Sequence, residues 1–215
     1  MTVMYEEIQE EPEAIRKTIN ENADKIKKVI DQIKNSSLVF ITGSGTSYNA
    51  ALILNYTLLE NGIRSVAMTS SEYTENIVRN MKGIITNIIF SQSGESSDAI
   101  SNLKLSKKYG FTVIGITNEK ESQLFMESDH PILTHAGKEK SIAATKSHAA
   151  QVAVSMLMDY SLRNDKKLVE DLNHLCSGIE KIFSLTEQIR LLSSEIHISL
   201  KASNWILHRY FHLTG

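Results

Sequence analysis

The sequence has one cysteine in 215 residues, and that scarcity removes several classes of protein at once. A lone thiol, Cys176, can form no intramolecular disulfide and no cysteine-based zinc site. Within a helical stretch it reads as a buried structural group. Proline is nearly as rare: two residues, beside ten glycines, which argues against disorder and against a proline-rich linker. No apolar run approaches the ~20 residues of a membrane span. The opening "MTVMYEEIQEEPEA" is acidic and lacks the apolar core of a secretory signal, so a cytoplasmic location is expected. An excess of charge is missing too, with 23 basic against 25 acidic residues and no basic stripe. Neither nucleic acid nor a membrane surface is expected as partner.

What is present is a repeated grammar. Residues 12–34 set Ile15, Ile19, Ile26, Val29, Ile30 and Ile33 at helical spacing, with Pro12 suited to a first turn. "SLVFIT" (37–42) reads as a buried strand, and a helical run from Tyr48 closes at Asn61-Gly62. Strands at "IRSVAMT", "GIITNIIF", "FTVIGIT" and "HPILTH" alternate with helical stretches at 70–81, 96–110 and 122–128. From Glu139 the chain turns alanine-rich, as a long, largely buried helix would. Leu168, Leu172, Leu175, Ile179, Ile182 and Phe183 continue as an amphipathic stripe. The expectation is an α/β fold, a doubly wound five-stranded parallel sheet in three layers of the flavodoxin or Rossmann type. Helices flank it at both ends. The segments expected are an N-terminal helical segment (1–34), the sheet domain (35–165), a C-terminal helix (166–200) and a short tail (201–215).

Two strands end alike. "VFITGSGTSYNAA" and "IIFSQSGESSDAI" each pass from strand through a glycine- and hydroxyl-rich loop into a helix. In open α/β sheets, ligands sit beyond the carboxyl ends of the strands, at the switch point. Helix N-termini there offer unpaired N–H groups and a partial positive charge. The hydroxyls of Ser47, Ser91, Ser93 and Ser96 and the amide of Gln92 would add neutral donors, an anion site without a cation that suits a monophosphate. A P-loop fails because Thr46, not lysine, follows Gly45. A dinucleotide fingerprint fails at Tyr48, where glycine is needed, and at Met68-Thr69-Ser70, where an acid is. Neither loop holds a G-x-S-x-G elbow. Capping explains one hydroxyl per helix, not four. Glu95 is the discordant residue, because a carboxylate in this loop would repel a dianion unless it faces a sugar hydroxyl or solvent.

"GSGTSYNAAL", "SQSGESSDAI" and "AGKEKSIAATKSHAAQ", in this order and at these separations, resemble the sugar isomerase (SIS) domain. The likeness is greatest to the isomerase half of the glucosamine-6-phosphate synthases (glutamine–fructose-6-phosphate aminotransferases), whose entry "MYEEIQEEPEAIRKTI" also resembles. The resemblance implies a phosphosugar ligand, of the fructose 6-phosphate or glucosamine 6-phosphate type, and a place in ketose–aldose isomerisation or amination in aminosugar metabolism. It implies that Ser91, Gln92, Ser93 and Ser96 grip the phosphate. Gly45, Thr46 and Ser47 would lie on the phosphate side and toward the early sugar carbons, and the backbone at Ile142 and Ala143 would line the sugar. Ala144 stands where the family usually has serine, and Ser96 where it usually has threonine. The family's synthases also carry a glutaminase domain and a second SIS domain that holds their catalytic groups. This sequence is expected to lack both, residues 201–215 reading as a truncated start of the second, so glutamine is not its expected nitrogen donor.

Moving a proton between C1 and C2 needs a base. No residue is assigned that role outright; Glu139 and Glu72 are the candidates, and Lys146 and His148 are better read as solvated or packing groups. His208 and His212 have metal-ligand spacing but no accompanying acid, so neither metal nor cofactor is expected. The apolar stripe over 168–192 needs cover, and a homodimer is expected. Two functions stay open: an enzyme completed by residues from elsewhere, and a catalytically idle or regulatory sugar-phosphate module. A carboxylate within reach of the sugar's C1 and C2 would separate them.

Overall fold

The computed structural model describes residues 2–165 and 167–193. It divides into two compact units, Met1–Cys176 and Ser177–Gly215, and the whole sheet lies in the first. Five strands, β1 (Leu38–Gly43), β2 (Ser65–Thr69), β3 (Ile85–Phe90), β4 (Thr112–Thr117) and β5 (His130–Leu133), pair in parallel in the order β2-β1-β3-β4-β5. β1, β3 and β4 are buried almost end to end, which is why they read as continuous apolar runs and not as alternating ones. The short edge strands β2 and β5 are only partly buried.

Two helices open the chain, α1 (Val3–Gln9) and α2 (Glu11–Lys34). The six apolar residues of the α2 stripe are all buried. α7 (Lys146–Arg163) packs against both α2 and α3 (Thr46–Glu60) in one layer. Against β3 and β4 lie α5 (Ser97–Lys108) and α6 (Gln123–Glu127). Asn22 fixes α2 to the end of β5 by donating to the carbonyls of Thr18 (2.7 Å) and Leu133 (2.8 Å).

The structure departs from the expected helices at two places. The stretch 70–81 holds only one turn, α4 (Glu75–Val78). Tyr73 is drawn into the core instead, edge-on to Phe40 at 5.4 Å, with its hydroxyl 2.9 Å from Ser106 Oγ. Burial pushes that phenol up to about 12. The long alanine-rich helix begins at Lys146, not near Glu139, and residues 138–145 form a loop. After α7, α8 (Leu168–Phe183) runs to a turn at Ser184 and Leu185, and residues 186–193 are again helical. His208, His212 and the expected start of a second domain at 201–215 lie outside the described residues. Among the described residues no helix is long and apolar enough to cross a membrane.

Candidate functional site

β1 sits between β2 and β3, so the chain leaves β1 toward one edge of the sheet and leaves β3 toward the other. This is the switch point of the fold. Thr42 is level with Ile89, so the two loops rise side by side. Between them opens a depression of about 210 Å³ lined by Ser44, Thr46, Ser47, Phe90, Ser91, Gln92, Ser93 and Ser96. Among the described residues no ionisable side chain lines it.

Two glycines shape the first loop. A Cβ on Gly43 would stand 2.7 Å from the carbonyl carbon of Ser47 and 2.8 Å from the nitrogen of Tyr48. Those are backbone atoms that cannot swing aside, so only glycine lets α3 start this close to β1. Gly45 takes φ +57° at the N-cap of α3 and offers no side chain to cap it. It sets the loop's path without lining the depression.

The hydroxyls are arranged by what they already accept. Ser47 Oγ accepts from Gln151 Nε2 (3.0 Å), Ser91 Oγ from the N–H of Gly94 (3.1 Å) and Ser93 Oγ from the N–H of Glu95 (3.2 Å). With an acceptor position filled by the protein, each serine keeps its proton to donate. Ser96 is the N-cap of α5 yet makes no capping hydrogen bond, unlike Thr2 and Ser122, which cap α1 and α6. Its oxygen stands 3.5 Å from Ser91 Oγ, at the outer limit of a hydrogen bond. Among the described residues the N–H groups of Ser97, Asp98 and Ala99 meet no protein acceptor. Donors therefore converge on a space that holds neither a cation nor an acid.

Glu95 turns out of that space. Its carboxylate accepts from the N–H of Gln123, at the first turn of α6, where a negative charge suits the helix dipole. The loop thus keeps its acid without presenting it to an anion.

The depression gathers Thr46, Ser47, Ser91, Gln92, Ser93 and Ser96. Ile142 and Ala143 do not line it. They lie in the loop before α7, exposed, Ile142 fully so at 107%. Glu139 accepts from the N–H (2.7 Å) and hydroxyl (3.0 Å) of Thr145 and from Ser147 Oγ, so it caps α7. Glu72 accepts from the N–H and hydroxyl of Thr69, each at 2.9 Å. Those two bonds hold its carboxyl below the ordinary value, which weakens it as a base. Lys146 is buried and paired with Glu10. Sequence reasoning missed Ser44 in the lining and Gln151 behind Ser47. An amide in an alanine- and valine-rich stretch makes Gln151 unusual, but nothing in the sequence joins it to Ser47. Among the described residues no group of three or more His, Cys, Asp or Glu could hold a metal ion.

Comparison with known proteins shows the family and the fold. Residues 32–158 match the family model of the SIS domain. The glutamine–fructose-6-phosphate aminotransferase (isomerizing) of Sulfurisphaera tokodaii is 35% identical over 191 residues, 86% of this chain and 32% of that protein. The chain spans about a third of the length of the curated relatives it matches. Among solved structures, the C-terminal domain of glucosamine-fructose-6-phosphate aminotransferase from Francisella tularensis superposes with a TM-score of 0.65 at 26% identity, covering 85% of this chain and 54% of that one. The Vibrio vulnificus NanR protein, complexed with ManNAc-6P, shares the fold at a TM-score of 0.61 and 16% identity, covering 87% of this chain and 70% of that one.

Proposed function

Because this chain belongs to the SIS domain family, we propose that it binds a phosphosugar of the fructose 6-phosphate or glucosamine 6-phosphate type. The phosphate sits between the loops after β1 and β3. One observation carries this reading: Ser47, Ser91 and Ser93 each already accept a hydrogen bond from the protein, so each has its proton free to give to the depression. A dianionic phosphate, rich in acceptors and without donors, complements that set. The open first turn of α5 adds N–H groups to it. Gly45 shapes the loop, Thr46 and Ser47 face the early carbons, and the backbone at Ile142 and Ala143 closes on the sugar. A cytoplasmic location accords with a ligand that membranes exclude.

The chemistry this serves is ketose–aldose isomerisation or amination in aminosugar metabolism. A second reading, a sugar-phosphate module that performs no chemistry alone, is favoured by the two candidate bases. Glu139 is spent on capping α7 and Glu72 on Thr69, and neither lines the depression. Catalysis would then require a base from another subunit or from residues beyond those described.

Calorimetric titration with fructose 6-phosphate, fructose and inorganic phosphate tests the proposal. Binding of the two phosphates and not of fructose is expected. Ser96→Ala should weaken fructose 6-phosphate by about tenfold, the worth of one hydrogen bond to a charged group. Its unfolding midpoint should not move, because this hydroxyl does not cap its helix. Failure of the parent chain to bind either phosphate would remove the function and leave the fold.

A further inference from the structure

Helix α1 buries a single residue, and that residue is a glutamate. Glu7 is 4% exposed, while Val3 and Met4 of the same helix stay in solvent. A short helix that docked for hydrophobic gain would do the reverse. A carboxylate removed from water must be fully hydrogen-bonded to be tolerated, and both of its oxygens are engaged. Oε1 accepts from the N–H of Lys140, and Oε2 from the N–H of Ser141 at 3.1 Å. Three residues on, Glu10 pairs with Lys146, buried at the first position of α7.

The junction of α1 and α2 therefore grips the loop 138–145 near its start and at its exit. That loop has no helix or strand of its own. Its other ties are side-chain ones as well: Ser141 Oγ donates to the carbonyl of Ala143 (2.8 Å), Asn118 Nδ2 to that of Gly137 (2.7 Å), and Glu139 holds Thr145. Between the two grips stand Ile142 and Ala143, with the Ile142 side chain fully exposed. The carboxylates of Glu7, Glu10 and Glu139 thus tie the loop where no helix or strand ladder does.

We infer that Glu7 is a positioning residue: by accepting the N–H groups of Lys140 and Ser141 it sets the backbone at Ile142 and Ala143 against the sugar carbons of the ligand. Helix α1 thereby belongs to the site although it touches no ligand. The inference rests on the phosphosugar reading above. Hydrogen bonding from Ser141 and from the N–H of Lys140 holds the Glu7 carboxyl below its ordinary value, so it is charged at neutral pH and accepts at both oxygens.

The test compares two ligands on the full chain. Glu7→Gln keeps the shape but turns an NH2 toward one of the two N–H groups. Calorimetry should show affinity for fructose 6-phosphate falling about tenfold, with inorganic phosphate unchanged to within about twofold, because the phosphate donors are untouched. Equal loss of both ligands would make Glu7 a general structural residue and overturn the inference, as would loss of neither. Failure of the parent chain to bind phosphate or fructose 6-phosphate is a distinct result, which removes the phosphosugar reading and this inference with it. Should Glu7→Gln not fold, Glu7→Asp, which keeps the charge on a shorter arm, carries the same comparison, with a smaller but still sugar-selective loss expected.

Discussion

At the scale of single residues, the site depends on which partner each hydroxyl has already taken. Ser47 shows this best, because its oxygen accepts from Gln151, a buried amide on a different helix. The bond fills one of the hydroxyl's two acceptor positions and leaves its proton free to donate into the depression. Gln151→Leu removes the donor and lets the hydroxyl rotate, so phosphosugar affinity should fall about five- to tenfold. Ser47→Ala should cost about as much, and the double variant no more than Ser47→Ala alone, since Gln151 acts only through Ser47. Calorimetry on the three variants checks this, and additive losses would separate the two residues. Ser47 was legible as a donor because it stands in a strand–loop–helix motif. Gln151 was not, because the partnership joins residues 104 positions apart in sequence and no local pattern records it.

At the scale of elements, the central strands and both loops could be read from sequence because their cues are local. Largely apolar runs mark β1, β3 and β4, and the Gly and Ser clusters after two of them mark the turns into α3 and α5. Helix starts were harder where tertiary contacts override propensity. Residues 139–145 look helical by composition, yet the Glu139 carboxylate holds Thr145 and Ser147 and delays the helix to Lys146. The stretch 70–74 yields to the pull of Tyr73 into the core beside Phe40. As a cap, Glu139 stabilises α7, and Glu139→Ala should lower stability by about 0.5–2 kcal/mol, the range for losing a helix cap, with α7 fraying at its start. Urea unfolding with amide exchange over residues 146–150 measures both. An undisturbed helix beside a loss of turnover would return Glu139 to the role of catalytic base.

At the scale of the whole molecule, the second unit carries an exposed apolar surface. Leu185, Ile189 and Leu192 recur at intervals of three or four residues along the helical stretch 186–193 and its start, and are between 44% and 58% exposed. Scattered exposed leucines are ordinary, but a stripe at helical spacing marks a contact surface. Self-association through a two-fold interface would cover it, and it would also bring in a second set of ionisable groups, which the depression of one chain lacks. Sedimentation equilibrium should therefore report a dimer, and Leu185→Glu with Ile189→Glu should shift it to the monomer. The same variant then decides between the two readings of function. Retained binding of fructose 6-phosphate with loss of an isomerisation seen in the parent would place the catalytic base across the interface. Retained binding with no turnover in either protein would make this chain a phosphosugar module, its hydroxyl cradle complete within one copy.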